Sequence, residues 1–179
     1  MTARTEITDP ANLIVRSVVT TRTPDRAGDI VLPQGLRNRD EFLANPVVLW
    51  AHQRNTPPIG RCLSLEVQPD RVIAETQFAA ASPFAVELFG LYAAGVLSGW
   101  SIGFLPIRTS PRRGGGTQVD SWDLLEYSAV PVPENPQALT MAVRKGLTVS
   151  PMLQQWLRQD VLAALCRVGE GFAQPTISR

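Results

Sequence analysis

Three side chains of this 179-residue chain belong to types that together can attack and release an acyl group. Ser101 sits in Gly99-Trp100-Ser101-Ile102-Gly103, a hydroxyl between glycines in an otherwise apolar run. His52, the only histidine, directly follows the compact apolar run Val47-Val48-Leu49-Trp50-Ala51 and precedes a polar loop. Glu126 lies in Trp122-Asp123-Leu124-Leu125-Glu126-Tyr127-Ser128, a carboxylate among leucines and aromatics. A serine becomes a useful nucleophile only when a base takes its proton and a third group orients that base. With one imidazole available, His52 is the base that such chemistry would have to use.

Each residue also has a plainer account. A histidine at a strand end is commonly a hydrogen-bonded structural group. Gly99 and Gly103 flank Ser101 at two residues on either side, which leaves space for a peptide backbone or marks a bulge or close strand packing. Glu126 and Asp123 can face solvent on a half-buried strand, or one of them can orient an imidazolium. The letters glycine-x-serine-x-glycine match the nucleophile elbow of α/β-hydrolases, but that elbow turns from strand into helix, and here the expected helix precedes the serine. Cys62 and Cys166 have no CxxC partner and no zinc spacing to the lone histidine, so neither a metal site nor a disulfide is expected, and both read as reduced, buried thiols. Nothing around Cys62 lowers a thiol pKa, which leaves a cysteine hydrolase without support.

Composition narrows the class. Hydrophobic residues make up 44% and charged residues 18%, which fits a globular domain with one good core. A net charge of +1 gives no basic excess for direct nucleic-acid binding. No apolar run of about eighteen residues suggests a membrane span. The first residues carry no apolar segment of the kind a signal peptide needs. Fifteen prolines and thirteen glycines favour short strands and loops over a helical bundle.

The elements that must position the three residues follow from pattern. Residues 13–20, rich in β-branched side chains, read as a strand, and 30–32 as a short second one. One or two helical turns over 39–43 end before Pro46. Residues 47–50 form a buried strand that delivers His52. A hairpin is expected over 59–67 and 71–78, its second arm alternating Val72, Ala74, Thr76 and Phe78 against Ile73, Glu75 and Gln77. Ser82 caps and Pro83 opens a helix to about residue 94, with Gly95 as its left-handed stop and Phe84, Leu88, Leu91 and Tyr92 as its buried stripe. Residues 96–108 make the serine strand, 112–116 a loop, and 119–130 the returning strand. A second amphipathic helix is expected over 151–168. The architecture is α+β, dominated by an antiparallel, barrel-like sheet, with a domain over 1–150 and a helix and tail over 151–179.

Taken in order, these landmarks resemble a known family. Thr23-Pro24-Asp25-Arg26-Ala27-Gly28-Asp29-Ile30-Val31, Asn45-Pro46-Val47-Val48-Leu49-Trp50-Ala51-His52 and Pro58-Ile59-Gly60 are similar to the front half of the tailed-phage prohead maturation proteases. The stretch from Gly95 through Ser101 to Phe104 is similar to their serine motif. Leu125-Glu126-Tyr127-Ser128-Ala129-Val130 and Pro133-Glu134-Asn135-Pro136-Gln137-Ala138 are similar to their closing block. The resemblance implies a herpesvirus-protease-like fold, mainly an antiparallel β-barrel surrounded by helices, and a serine endopeptidase without a cofactor. It implies His52 as general base, Ser101 as nucleophile and Glu126 as third member, with Asp123 the open alternative for the last. It further implies the major capsid protein and scaffold protein as substrates and action inside the prohead in the bacterial host cytoplasm. A protease packaged with its substrate needs control, and the apolar face of the helix over 151–168 either serves a homo-oligomer for that purpose or caps the core. The rival expectation is a non-catalytic capsid assembly module that keeps the fold.

Overall fold

The computed structural model describes residues 6–9 and 12–141. Its elements, in chain order, are β1 (Glu6–Asp9), β2 (Ile14–Thr21), β3 (Ile30–Val31), α1 (Arg39–Ala44), β4 (Val47–Trp50), β5 (Gly60–Val67), β6 (Arg71–Phe78), α2 (Pro83–Ala93), β7 (Trp100–Pro111) and β8 (Thr117–Ala129), with a 3-10 turn at Pro33–Gly35. The strands form one eight-stranded sheet in the order β1-β2-β6-β5-β4-β8-β3, with β7 paired on β8. Hairpin neighbours β5–β6 and β7–β8 are antiparallel. β3 and β4, by contrast, both run parallel to β8. The sheet is therefore mixed, with β8 as its hub.

The sheet curls, and the segment over 138–140 draws its two sides together. Trp100 N donates to Ala138 O at 2.8 Å, Thr140 N to Ser98 O at 2.6 Å, and Val18 N to Leu139 O at 3.2 Å. Isolated bridges Ser17↔Thr140 and Gly99↔Leu139 mark the same seam between β2 and the start of β7. Asn135 anchors the approach to that seam, donating from Nδ2 to Thr21 Oγ1 at 3.0 Å and to Thr21 O at 3.3 Å. This is the structural work of the proline-rich closing block.

Inside the curl lie Trp100, Trp122, Tyr127, Phe78 and Phe89, all fully buried. Tyr92 stacks on Trp100 with centroids 4.9 Å apart, and Trp100 meets Tyr127 at 5.7 Å. Aromatic rings with polar tips are tolerated there only when the tips are bonded. Each of these is: Trp100 Nε1 donates to Thr140 Oγ1 at 2.6 Å, Tyr92 OH to Gly99 O at 2.7 Å, Trp122 Nε1 to Leu32 O at 2.8 Å, and Tyr127 OH pairs with Thr76 Oγ1 at 2.7 Å.

Helix α2 begins as its sequence dictates. Ser82 Oγ accepts from Ala85 N at 3.3 Å, Pro83 occupies the first turn, and Gly95 takes φ +72° just past the end. Its buried face differs from the expected one. Ala85, Leu88, Phe89 and Tyr92 are buried, while Phe84 and Leu91 are 46% and 41% exposed. The i, i+3, i+4, i+7 stripe is set by Phe89, which packs edge-on against Phe78 at 5.8 Å and rotates the helix away from Phe84. Strand β7 starts at Trp100 rather than at residue 96, because Val96 N and Leu97 N both turn back to Leu91 O. Among the described residues the α-helices are α1 and α2, so the surrounding shell of helices is reduced to these two on a β-rich body. The expected helix over 151–168 lies outside the described residues.

Two measurements test this packing. Thr140→Val leaves the buried indole N–H of Trp100 unpaired at the seam, and a loss of about 1–3 kcal/mol in denaturant unfolding is expected. The second concerns alkaline pH. Burial pushes the Tyr92 and Tyr127 phenols and the Cys62 thiol above their ordinary values. The folded chain then holds these protons more tightly than the unfolded one. Their contribution is complete below the unfolded values and is lost as pH rises through the raised folded ones. The unfolding midpoint should stay level through neutrality and fall above roughly pH 9, where unfolded cysteine and tyrosine begin to ionise.

Candidate active site

The parallel contact between β4 and β8 brings the histidine to the carboxylate. Val48, Leu49 and Trp50 lie opposite Tyr127, Ser128 and Ala129. The ladder is extended once, Ala51 N donating to Ala129 O at 2.9 Å, and then the chain turns sharply. Ala51 and His52 adopt φ of +48° and +60°. A non-glycine residue in that region costs about 1–2 kcal/mol, so something must hold it there. Gln53 N bonds back to Trp50 O at 2.9 Å, and His52 N donates to Ser128 Oγ at 3.0 Å.

The turn sets the imidazole against Glu126. His52 Nδ1 lies 2.7 Å from Glu126 Oε1, and Ser128 Oγ donates to Glu126 Oε2 at 2.7 Å. A carboxylate only accepts, so Nδ1 carries the hydrogen and Nε2 is left as the imidazole's acceptor. The Glu126 side chain is 3% exposed and the His52 side chain 40%. The geometry is thus a buried carboxylate that fixes the tautomer of a ring open to solvent. A proton-accepting imidazole needs that arrangement.

Ser101 reaches the same face from the other side of β8. Ser101 lies opposite Ser128 and Gly103 opposite Glu126, and directly opposed residues of an antiparallel pair project to one face. Ser101 is half-buried and, among the described residues, its hydroxyl and His52 are not hydrogen-bonded to each other. It also lines a cavity of about 220 Å³ with Ile102 and Phe104 of β7, across from Val19 and Thr20 of β2. The structure joins His52 to Glu126 directly and sets Ser101 one strand away.

This geometry refines two expectations and bears out a third, that of Cys62. The carboxylate that meets His52 is Glu126, whereas Asp123 sits opposite Leu105. The glycines do not clear room for a substrate. A methyl group on Gly103 would overlap the Glu126 carboxylate, and one on Gly99 would press on Val130 O and the Pro133 ring. Cys62 is buried, its thiol donates to Ser64 O at 3.2 Å, and burial raises its pKa, the reverse of an activated nucleophile. Cys166 lies outside the described residues.

The sequence reading assigned no role to Ser128. The available signal was the spacing Glu126-x-Ser128, because residues two apart on a strand share a face. The motif around Asp25 also has a structural task. Asp25 Oδ1 accepts from Ala27 N at 3.0 Å and Asp29 N at 2.8 Å, and Asp29 Oδ1 accepts from Thr117 N at 2.7 Å, which pins the loop to the start of β8. Among the described residues no group of three or more His, Cys, Asp or Glu could hold a metal ion, and no helix is long and apolar enough to cross a membrane.

A carboxylate-held imidazole and, one strand away on the same face of the sheet, a serine are the residue types that acyl-transfer chemistry uses. The chain belongs to the caudovirus prohead serine protease family, whose model matches residues 15–152. That span takes in β2 through β8 and the closing segment. A relative, the capsid polyprotein of Pseudomonas phage PAJU2, is 27% identical over 143 residues, 76% of this chain. The chain spans 21% of that relative's length. No solved structure matches the chain.

Gly103→Ala tests the fit of the carboxylate. The added methyl should displace Glu126 from His52 and destabilise the fold by about 1–3 kcal/mol. With a single histidine in the chain, the imidazole resonances report this directly. An unchanged imidazole spectrum in a folded Gly103→Ala protein would show that the carboxylate does not depend on the glycine.

Proposed function

We propose that this chain is a serine endopeptidase of phage head maturation that cuts the scaffold protein, or a scaffold-like segment of the major capsid protein, within the assembling prohead. The observation that carries the reading is the His52–Glu126 pair, 2.7 Å apart inside a family match that covers residues 15–152. A relative named a capsid polyprotein supports seeking the substrate among capsid proteins.

In this mechanism the Ser101 hydroxyl attacks the scissile carbonyl as His52 Nε2 takes its proton. The same imidazole returns that proton to the leaving amine, and a water then repeats the cycle on the acyl-enzyme. Glu126 keeps the hydrogen on Nδ1 and stabilises the imidazolium. Separation of His52 from Ser101 in the free protein is compatible with this, because such bonds commonly tighten only when substrate binds. Backbone amides near Ser101 would stabilise the oxyanion. The fold is of the herpesvirus-protease type on this reading, and the active form is a homo-oligomer.

Co-expression with the capsid and scaffold proteins provides the test. Ser101→Ala and His52→Ala should each leave these proteins at full length on a gel while the protease domain stays folded. The rate loss should be on the order of 10⁴-fold or more. Normal processing by both variants would sink the protease reading and leave a non-catalytic assembly module.

A further inference from the structure

Ser128 is fully buried, yet its hydroxyl is committed in both directions. It accepts from His52 N at 3.0 Å and donates to Glu126 Oε2 at 2.7 Å, while Glu126 Oε1 receives His52 Nδ1–H at 2.7 Å. These contacts form a closed cycle. Donors from both ends of His52 converge on the carboxylate, the main-chain N–H through the Ser128 hydroxyl to Oε2 and the ring Nδ1–H directly to Oε1, and the loop closes through the residue's own covalent bonds. The bonds from His52 N to Ser128 and from Ser128 to Glu126 are linked head to tail and polarise one another, and a fully satisfied buried network of this kind holds one geometry.

We propose that Ser128 is a positioning residue, which acts on His52 at two points and through Glu126 fixes the tautomer and orientation of the imidazole. This rests on the protease reading above and adds a fourth member to its machinery. Three features support it. The two left-handed residues, Ala51 at φ +48° and His52 at φ +60°, need a restraint, and Ser128 supplies the side-chain bond to the second. A carboxyl group can rotate about its last torsion, and with a single donor at Oε1 it is free to swing. A second donor at Oε2 removes that freedom. Finally, Ser128 cannot itself be the nucleophile, since its oxygen is enclosed and already bonded, whereas Ser101 opposite is half-buried. Parity links the parts: Glu126 and Ser128 share a face of β8 because they are two apart, and Leu49 of β4 lies level with Ser128 so that the turn ends over the carboxylate.

The test uses the full chain and a fluorogenic peptide spanning a mapped cleavage site. Ser128→Ala should lower kcat by about tenfold to a hundredfold, the range for losing one hydrogen bond to a charged group, with KM within about twofold. Ser128→Thr, which keeps the hydroxyl, should recover most of that loss. In a Glu126→Ala background, Ser128→Ala should cost less, about threefold, because only its bond to the His52 main chain is left to lose. The same cost in both backgrounds overturns the proposal, as does an unaltered kcat in Ser128→Ala.

The spectrum of the single imidazole gives a second readout that needs no turnover and is unaffected by whether a threonine fits the site. In the wild type one tautomer with a downfield Nδ1–H is expected, and Ser128→Ala should broaden that proton and admit the other tautomer. An identical spectrum in folded Ser128→Ala overturns the proposal. Failure of the protease reading is separable: it appears as equal cleavage by the wild type and Ser101→Ala, and the imidazole spectrum still decides the role of Ser128.

Discussion

A carboxylate with 3% of its side chain exposed must be met by hydrogen-bond donors, and Glu126 is met from two sides. Removing the partner of a buried charge costs about 3–5 kcal/mol, so the surrounding structure has little latitude. Strand β7 must carry a glycine where it passes the carboxylate, and Gly103 is there. Strand β4 must run parallel to β8 and stop level with Ala129, so that the next turn puts an imidazole over Oε1. That turn must be left-handed at two ordinary residues, a strain the local bonds offset.

The rest of the domain keeps β8 in place between its neighbours. Tyr127, on the opposite face from Glu126, is fully buried and packs with Trp100 and Phe42. One face of the strand therefore faces the apolar core and the other holds the polar cycle, the division that strict alternation produces. The loop around Asp25 fastens the far end of β8, and the segment over 138–140 ties β7 to β2. Motifs widely spaced in sequence thus serve one strand.

Much of this was legible in the sequence. The β5–β6 hairpin follows from alternation, the start of α2 from Ser82-Pro83, and its end from Gly95. His52 stood out as the chain's one imidazole at the end of an apolar run. What was not legible depends on distant partners. Parallel pairing of β4 with β8 joins segments about eighty residues apart, and no local pattern announces it. The true face of α2 was decided by Phe89 meeting Phe78, and Phe84 is instead turned outward against Trp50 at 5.9 Å. The glycines around Ser101 looked like space for a ligand, but the space is taken by Glu126 and by the Pro133 turn. For Ser128 the spacing to Glu126 put the two on one face of a strand, but not what that face would meet, because its neighbours across the sheet come from distant sequence.

The way the sheet closes also sets an order in time. His52 and Glu126 are 74 residues apart, and Asn135 grips Thr21 across 114. As the chain is made from its amino end, β2 and the β5–β6 hairpin are present long before β8. The imidazole therefore exists well before the carboxylate that orients it, and the seam between β2 and β7 waits for residues 138–140. Long-range closures of this kind come late because loop entropy opposes them until the rest is formed. Connectivity alone keeps the histidine without its carboxylate until almost all of the sheet has been synthesised.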